Sequence, residues 1–240
     1  MTAKPVDNQI LLKLSGESMC LSESSGVDSQ AVKELVDEIT GVVELGVKIV
    51  LVIGGGNMIR GRQLMEDPSI RRTTADQMGM LGTVINALAL GDSLNGRGLP
   101  TRVLSAVAMP AVCQTYTIRE ARKQLDKGRI VISAGGTGNP FFTTDTCASL
   151  RASELGVDAL IKATKVDGIF DSDPMLNPQA KRYDKLTYTK ILEDRLGAMD
   201  LSAISMCMEN DIKIIVLQIS KPGNLLNAVC GQEVGTLVTQ

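Results

Sequence analysis

The stretch Val47 to Ile53, VKIVLVI, is apolar on both of its faces and runs without a break into Gly54-Gly55-Gly56-Asn57. A half-buried strand alternates apolar and polar residues, whereas a strand covered on both faces does not. This segment therefore predicts a parallel sheet with helices on either side. Gln9 to Leu14 (QILLKL), Thr101 to Leu104, Arg129 to Ser133, Asp158 to Ala163 (DALIKA) and Asp211 to Ile219 read as further strands, with Gly235 to Val238 as a short edge strand. Between the first two, Asp28 to Leu45 carries Val32, Leu35, Val36, Ile39 and Val43 at helical spacing, with Asp28 as N-cap and Gly46 as its stop. Helices are also expected over Thr74 to Leu94, Ile118 to Lys127, Thr144 to Leu155, Thr189 to Leu196 and Met199 to Glu209. Ser22 to Asp28 and Asn177 to Lys185 read as polar connectors and Thr164 to Pro174 as an irregular loop. Strand and helix alternate throughout, so the fold class is α/β.

Composition narrows the chemistry. With 240 residues, 44% of them hydrophobic, the chain can bury a large core. The 25 basic and 27 acidic residues leave a net charge of −2 with no basic run, so direct nucleic-acid binding is not expected. No signal-peptide pattern opens the chain and no apolar run approaches the roughly 18 residues of a membrane span, so a cytoplasmic protein is expected. Cys20, Cys113, Cys147, Cys207 and Cys230 never form a C-x-x-C pair, which suits reduced thiols and not a zinc site. The chain has no histidine, which excludes Ser-His-Asp and Cys-His nucleophiles and zincin motifs. Catalysis must rest on Lys, Arg, Asp, Thr and backbone amides, and no metal-ligand set is identified.

Ser133 to Asp145, SAGGTGNPFFTTD, follows a strand and crowds three glycines, three threonines and a carboxylate into one loop. Gly135, Gly136 and Gly138 permit close approach of a ligand, and Thr137, Asn139, Thr143 and Thr144 supply short hydrogen-bonding groups. The three phenylalanines, Phe141, Phe142 and Phe170, all fall in such loops, where packing against a base or ribose is the expected use. Gly56 to Gly61 has the glycine spacing of a P-loop, but Arg62-Gln63 follows where Lys-Ser/Thr is needed. Phosphate must be held otherwise. Arg60 and Arg62 offer guanidinium forks, and Lys13 and Lys162 stand near the ends of two strands, where two cations with an acid between them suit phosphoryl transfer. Asp76 either caps a helix or faces the site.

In this order, LLKLSGES (Leu11 to Ser18), IGGGNMIRG (Ile53 to Gly61), DQMGM (Asp76 to Met80), GTGNPFFTTD (Gly136 to Asp145) and KATKVDGIFDSDP (Lys162 to Pro174) resemble the bacterial UMP kinases (uridylate kinases) of the amino acid kinase superfamily. The resemblance spans about Ile10 to Val238. It implies a three-layer αβα sandwich around a mainly parallel sheet in one domain over 1–240, with about 1–157 taking the acceptor and about 158–240 taking ATP. It implies transfer of the γ-phosphoryl group of ATP to UMP, with Mg2+ accompanying ATP. Lys13, Ser15, Gly16, Gly56, Thr164, Phe170 and Asp173 are then expected at ATP, and Gly55, Arg60, Asp76, Thr137, Asn139 and Thr144 at UMP. Lys13, Lys162, Asp145 and Arg60 form the expected catalytic set, with Asp200 sharing the work of Asp145 or capping a helix.

The resemblance also implies a homohexamer and inhibition by UTP. The family's DHMG reads DQMG here, with Gln77 in place of the histidine. Relatives that answer to GTP hold basic residues near the positions of Gly91 and Asn95, so GTP activation stays open, with Arg102 and Arg129 the basic residues remaining. Two rival readings share parts of this pattern: an amino acid or carbamate kinase of the same superfamily, and a non-catalytic regulatory protein that senses UMP or UTP.

Overall fold

Strand β1 (Gln9–Leu14) lies between β2 (Lys48–Ile53) and β6 (Ala159–Thr164), parallel to both. In the computed structural model, which describes residues 4–20, 25–59 and 69–240, these three strands form the middle of a nine-stranded sheet. To one side follow β5 (Ile130–Ala134), β3 (Thr101–Ser105) and β4 (Gln114–Thr115). To the other follow β10 (Lys213–Gln218), β11 (Thr236–Thr239) and β9 (Lys185–Thr187). Every neighbouring pair is parallel except β10 with β11.

Alternation along the strands sends side chains to two cores. Ile10, Leu12 and Leu14 pack under α1 (Ser29–Val43), α2 (Arg72–Gly96) and α7 (Asn224–Val229). Leu11 and its neighbours Val50 and Leu160 pack under α3 (Ile118–Asp126), α4 (Thr144–Leu155), α5 (Tyr188–Asp194) and α6 (Leu201–Glu209). The result is the expected three-layer αβα sandwich. Asp28 caps α1 by accepting from the backbone N–H groups of Gln30 and Ala31, each at 2.9 Å. Among the described residues no helix is long and apolar enough to cross a membrane.

The direction of the chain locates the site. From β1 the chain crosses to β2 on one side, and the later strand β6 enters on the other, so the connections diverge at β1 and β6. In open parallel sheets a crevice opens at that point, outside the carboxyl ends of the strands. Lys13 and Lys162 are register partners there. They share a parity with Leu11 and Leu160 and so face the α4 layer.

Three expectations need correction. Thr164 to Pro174 is not wholly irregular: β7 (Ile169–Phe170) pairs antiparallel with β8 (Arg182–Tyr183), which lies inside the segment read as a connector. Two-residue strands are too short to show alternation. Nor is the last strand an edge, because β9 pairs beyond it. The helix α7 has six residues and follows Gly223, its N-cap, whose N–H donates to Glu38 Oε1 at 2.8 Å, a tertiary cap that no local pattern signals.

Gly235 makes the sheet's last turn possible. Its φ is +62°, and a Cβ there would lie 2.0 Å from the Val216 carbonyl oxygen. Gly235→Ala should therefore lower the unfolding free energy in urea by at least about 2 kcal/mol. Gly41, inside α1 with nothing within 4 Å of an added Cβ, should gain about 0.5–1 kcal/mol as Ala. Equal shifts in the two variants would sink this account.

Candidate active site

The strand ends converge on one carboxylate. Asp145, in the first turn of α4, lies with Oδ1 2.6 Å from Lys13 Nζ and Oδ2 2.7 Å from Lys162 Nζ. All three side chains are at most 14% exposed. Two ammonium groups on adjacent parallel strands would repel, and the bidentate acid between them makes the arrangement tenable. Burial alone would raise the Asp145 carboxyl, but Lys13 and Lys162 together outweigh it and hold the group below the ordinary carboxylate value. For Lys162, burial prevails over the attraction of Asp145, and with Lys13 nearby its ammonium is held below the ordinary lysine value. Lys162 also donates to the Ala198 carbonyl at 2.5 Å.

The turns after β1 and β2 touch through backbone. A Cβ on Gly16 would lie 2.7 Å from the Gly56 nitrogen and 2.9 Å from the Gly54 oxygen, and one on Gly55 would meet the Gly79 oxygen of α2 at 2.6 Å. Only hydrogen fits. Ser15 caps the short 3-10 turn Gly16–Met19, its Oγ accepting from Glu17 N at 3.3 Å. The contact is fixed by Asn57 and Asn86, two buried amides that bond each other at 2.6 and 3.0 Å. Asn86 also donates to the Gly54 carbonyl at 2.7 Å. Sequence reading missed both. Asn86 sits in an apolar helical run, and a polar residue at a buried position there is the signal that could have found it.

The central loop is pinned at several points. Gly135 N–H donates to Thr83 Oγ1 at 2.8 Å, and Phe141 N–H to Asp76 Oδ2 at 2.8 Å. Thr137 and Asn139 bond each other within the loop. Asp76 is therefore no cap; the N-cap of α2 is Arg71, which makes no side-chain cap bond, and the carboxylate holds the loop instead. Phe141 is at φ +72° and 60% exposed, with the Arg72 guanidinium 5.1 Å from the centre of its ring. Phe142 is 54% exposed. Neither ring fills the core. Thr143 caps α4 and donates to Asp200, which also accepts from Thr146 Oγ1 at 2.9 Å and caps α6 through Ala203 N at 2.8 Å. Asp200 thus caps a helix and ties it to the helix of Asp145.

A cavity of about 470 Å³ opens beside the lysines, lined by Lys162, Thr164, Phe170, Asp173, Leu196 and Ala198. It gathers three of the residues expected at ATP on one wall system. The Thr164 hydroxyl already donates to the Val166 carbonyl at 2.6 Å, and Asp173 accepts from Met175 N at 2.8 Å. Lys13 and Ser15 line an adjoining cavity of about 660 Å³ against α1, which shares Lys162 and Thr164 with the first. Arg60 lies outside the described residues.

Replacing Asp145 by Asn leaves two buried ammonium groups without their counter-ion, and urea unfolding at pH 7 should lose about 3–5 kcal/mol. Because the folded carboxyl is held below its unfolded value, its contribution is complete above the ordinary carboxylate range and is lost as pH falls through the folded value. The Asn variant should lack that part of the acid-side decline. A loss below about 1 kcal/mol, the range of exposed pairs, would refute the shared buried charge.

Comparison with known proteins agrees with this geometry. The model of the amino acid kinase family matches residues 8–218. A uridylate kinase of Methylococcus capsulatus is 46% identical over 235 residues, covering 98% of each chain. One from Dichelobacter nodosus is 48% identical over 235 residues, covering 98% of this chain and 97% of the other. The solved structure of the UMP kinase from Bacillus anthracis superposes with a TM-score of 0.94 at 36% identity, over 97% of this chain and 96% of that one. The chain belongs to the amino acid kinase family, and at this likeness over its whole length it stands among the uridylate kinases.

Proposed function

We infer that this protein transfers the γ-phosphoryl group of ATP to UMP, giving UDP and ADP. The observation that carries the reading is the pair of register-matched lysines sharing Asp145, between a pinned acceptor loop and a nucleotide-sized cavity. The likeness to uridylate kinases over the whole chain supports the choice of substrates.

The chemistry asks little covalent help from the protein. A UMP phosphate is already an anionic nucleophile near neutral pH, so no general base is needed, in keeping with a chain that lacks histidine. Lys13 and Lys162 neutralise the charge that develops on the moving phosphoryl group, and Asp145 orients them. Arg60 grips the UMP phosphate. Asp76 takes the ribose, exchanging the Phe141 N–H for sugar hydroxyls, while Gly55, Thr137, Asn139 and Thr144 surround the rest of the acceptor. Thr164, Phe170 and Asp173 line the base and ribose of ATP, with Ser15, Gly16 and Gly56 along its phosphates. The lining of the smaller cavity by residues after 158 alone supports a division into an acceptor part, about 1–157, and an ATP part, about 158–240.

ATP enters as its magnesium complex. Among the described residues no group of three acids or thiols is gathered to cage a metal, so the donor set fits an ion held chiefly by phosphates, where it neutralises their charge. Asp145, shared by the two lysines, is the carboxylate that would face such an ion.

Leu81, Ile85 and Leu88 stand 46%, 46% and 37% exposed at helical spacing on α2, which supports burial between copies in a homohexamer. A cavity of about 1080 Å³ is lined by Gly91, Asn95, Arg102, Lys123 and Arg129 together with Asp92 and Glu120. Inhibition by UTP goes with the kinase reading, but this thin basic lining is not enough for us to propose strong activation by GTP. A cytoplasmic place of work fits these substrates.

The deciding assay follows ADP release from MgATP with UMP, CMP, aspartate or acetylglutamate supplied singly, and separates the products by chromatography. UDP should form with UMP, and Lys13→Ala and Lys162→Ala should each lower kcat by about 100-fold or more with UMP binding nearly unchanged. Turnover with an amino acid would move the chain to a sibling activity, and UMP binding without turnover would make it a sensor. For the assembly, Ile85→Glu should shift sedimentation from a hexamer to smaller species, and a monomeric wild type would remove that part of the reading.

A further inference from the structure

Arg151 is only 5% exposed, and a guanidinium so far from water is costly unless its charge and planar donors are met. It sits on α4, six residues beyond Asp145. Its Nε donates to Ser133 Oγ at 3.3 Å and its Nη1 to Glu154 Oε2 at 2.8 Å. Its Cζ lies 3.8 Å from the centre of the Tyr116 ring, and the Tyr116 hydroxyl donates to the same Glu154 oxygen at 2.8 Å. Cys147, fully buried beside it, has its thiol pushed up to about 11 by burial. The thiol stays neutral, which leaves Glu154 as the anion that answers Arg151.

What the network joins gives it meaning. Ser133 lies in β5, which delivers the chain into the central loop, and α4 is the helix that receives the chain at Thr143. Arg151 therefore bridges the two supports between which the loop is strung. Thr83, Asp76 and Asp200 pin the loop itself at Gly135, Phe141 and Thr143, whereas Arg151 sets the spacing of the strand and helix behind it. An arginine is suited to this, because one planar group can donate along its edge to a neighbouring strand and to a carboxylate of its own helix while its face stacks on a third side chain.

We propose that Arg151, clamped by Glu154 and Tyr116 against Ser133, is a positioning residue for the acceptor nucleotide, holding Thr137, Asn139 and Thr144 at the spacing that UMP requires. This rests on the uridylate kinase reading. Small misplacements of binding groups weaken binding without removing the chemical groups, so the effect belongs in the acceptor's KM.

The test is steady-state kinetics on the full chain, varying UMP at saturating ATP and then the reverse, for wild type, Arg151→Met, Arg151→Lys, Ser133→Ala and the Arg151→Met/Ser133→Ala double variant. Thermal melts and calorimetric UMP titrations accompany each. Arg151→Met should raise the UMP KM about tenfold and leave the ATP KM within about twofold. Arg151→Lys should fall between, and the double variant should be no worse than Arg151→Met, because both act through one contact. Lowered melting temperatures with both KM values unchanged, or equal rises in both, would overturn the proposal by reducing Arg151 to a fold-stabilising residue. If Arg151→Met does not fold, Ser133→Ala still decides, since an unchanged UMP KM there overturns the proposal as well. A wild type that binds UMP without turnover would overturn the kinase reading, and the ratios of UMP Kd would still judge Arg151. A wild type that does not bind UMP would overturn both.

Discussion

The shared carboxylate of Asp145 is the interaction on which the rest of this architecture depends. Two lysines at matched positions of neighbouring parallel strands are each held one hydrogen-bond length from its two oxygens. The strands cannot carry both cations into a buried crevice without it, and the crevice exists because chain connections diverge at those strands. Topology, charge and site geometry thus meet in a single residue at the first turn of α4. The arrangement also stores the charge that the proposed reaction uses, already oriented and partly out of water. There it acts more strongly than on the surface and needs no reorganisation.

Around this centre the protein spends polar groups on holding backbone still. The Asn57 and Asn86 amides lock the turns after β1 and β2, which meet through glycines with no room for a side chain. Thr83, Asp76 and Asp200 hold the central loop from two different helices, and Arg151 joins the strand and helix that support it. Phe141 is kept at a positive φ with an exposed ring. A non-glycine residue in that region is tolerated only where the surroundings over-determine it, and such positions gather at ligand clamps. The loop is rigid at its anchors and leaves its aromatic rings outward, an arrangement suited to closing on a ligand face.

Much of this is legible in the sequence alone. Strands buried on both faces, the Asp28 cap and the 12-residue span of α4 follow from local pattern, because apolar periodicity and capping chemistry act over a few residues. Lys13 and Lys162 could be singled out because a cation inside an apolar run has to find a partner. The motif order and the family resemblance supplied Asp145 as the acid. Short elements were not legible: β4, β7 and β8 have two residues each, and α7 is capped by Glu38, far away in sequence. Asp76 could not be settled either, since its acceptor role depends on a backbone N–H 65 residues later.

The sequence by itself determined the α/β class, the places where glycine loops must follow strands, and a chemistry confined to lysine, arginine, aspartate, threonine and backbone groups. These are matters of period, composition and residue type. Only the tertiary structure decided that both lysines reach the same carboxylate, that Asn57 pairs with Asn86, and that Arg151 stands between Ser133, Glu154 and Tyr116. Apart from the Arg151–Glu154 pair within α4, these contacts bring together groups from separate elements, at distances set by strand register and layer packing. No local preference encodes such distances, because the energy that fixes them comes from burying the whole sheet at once.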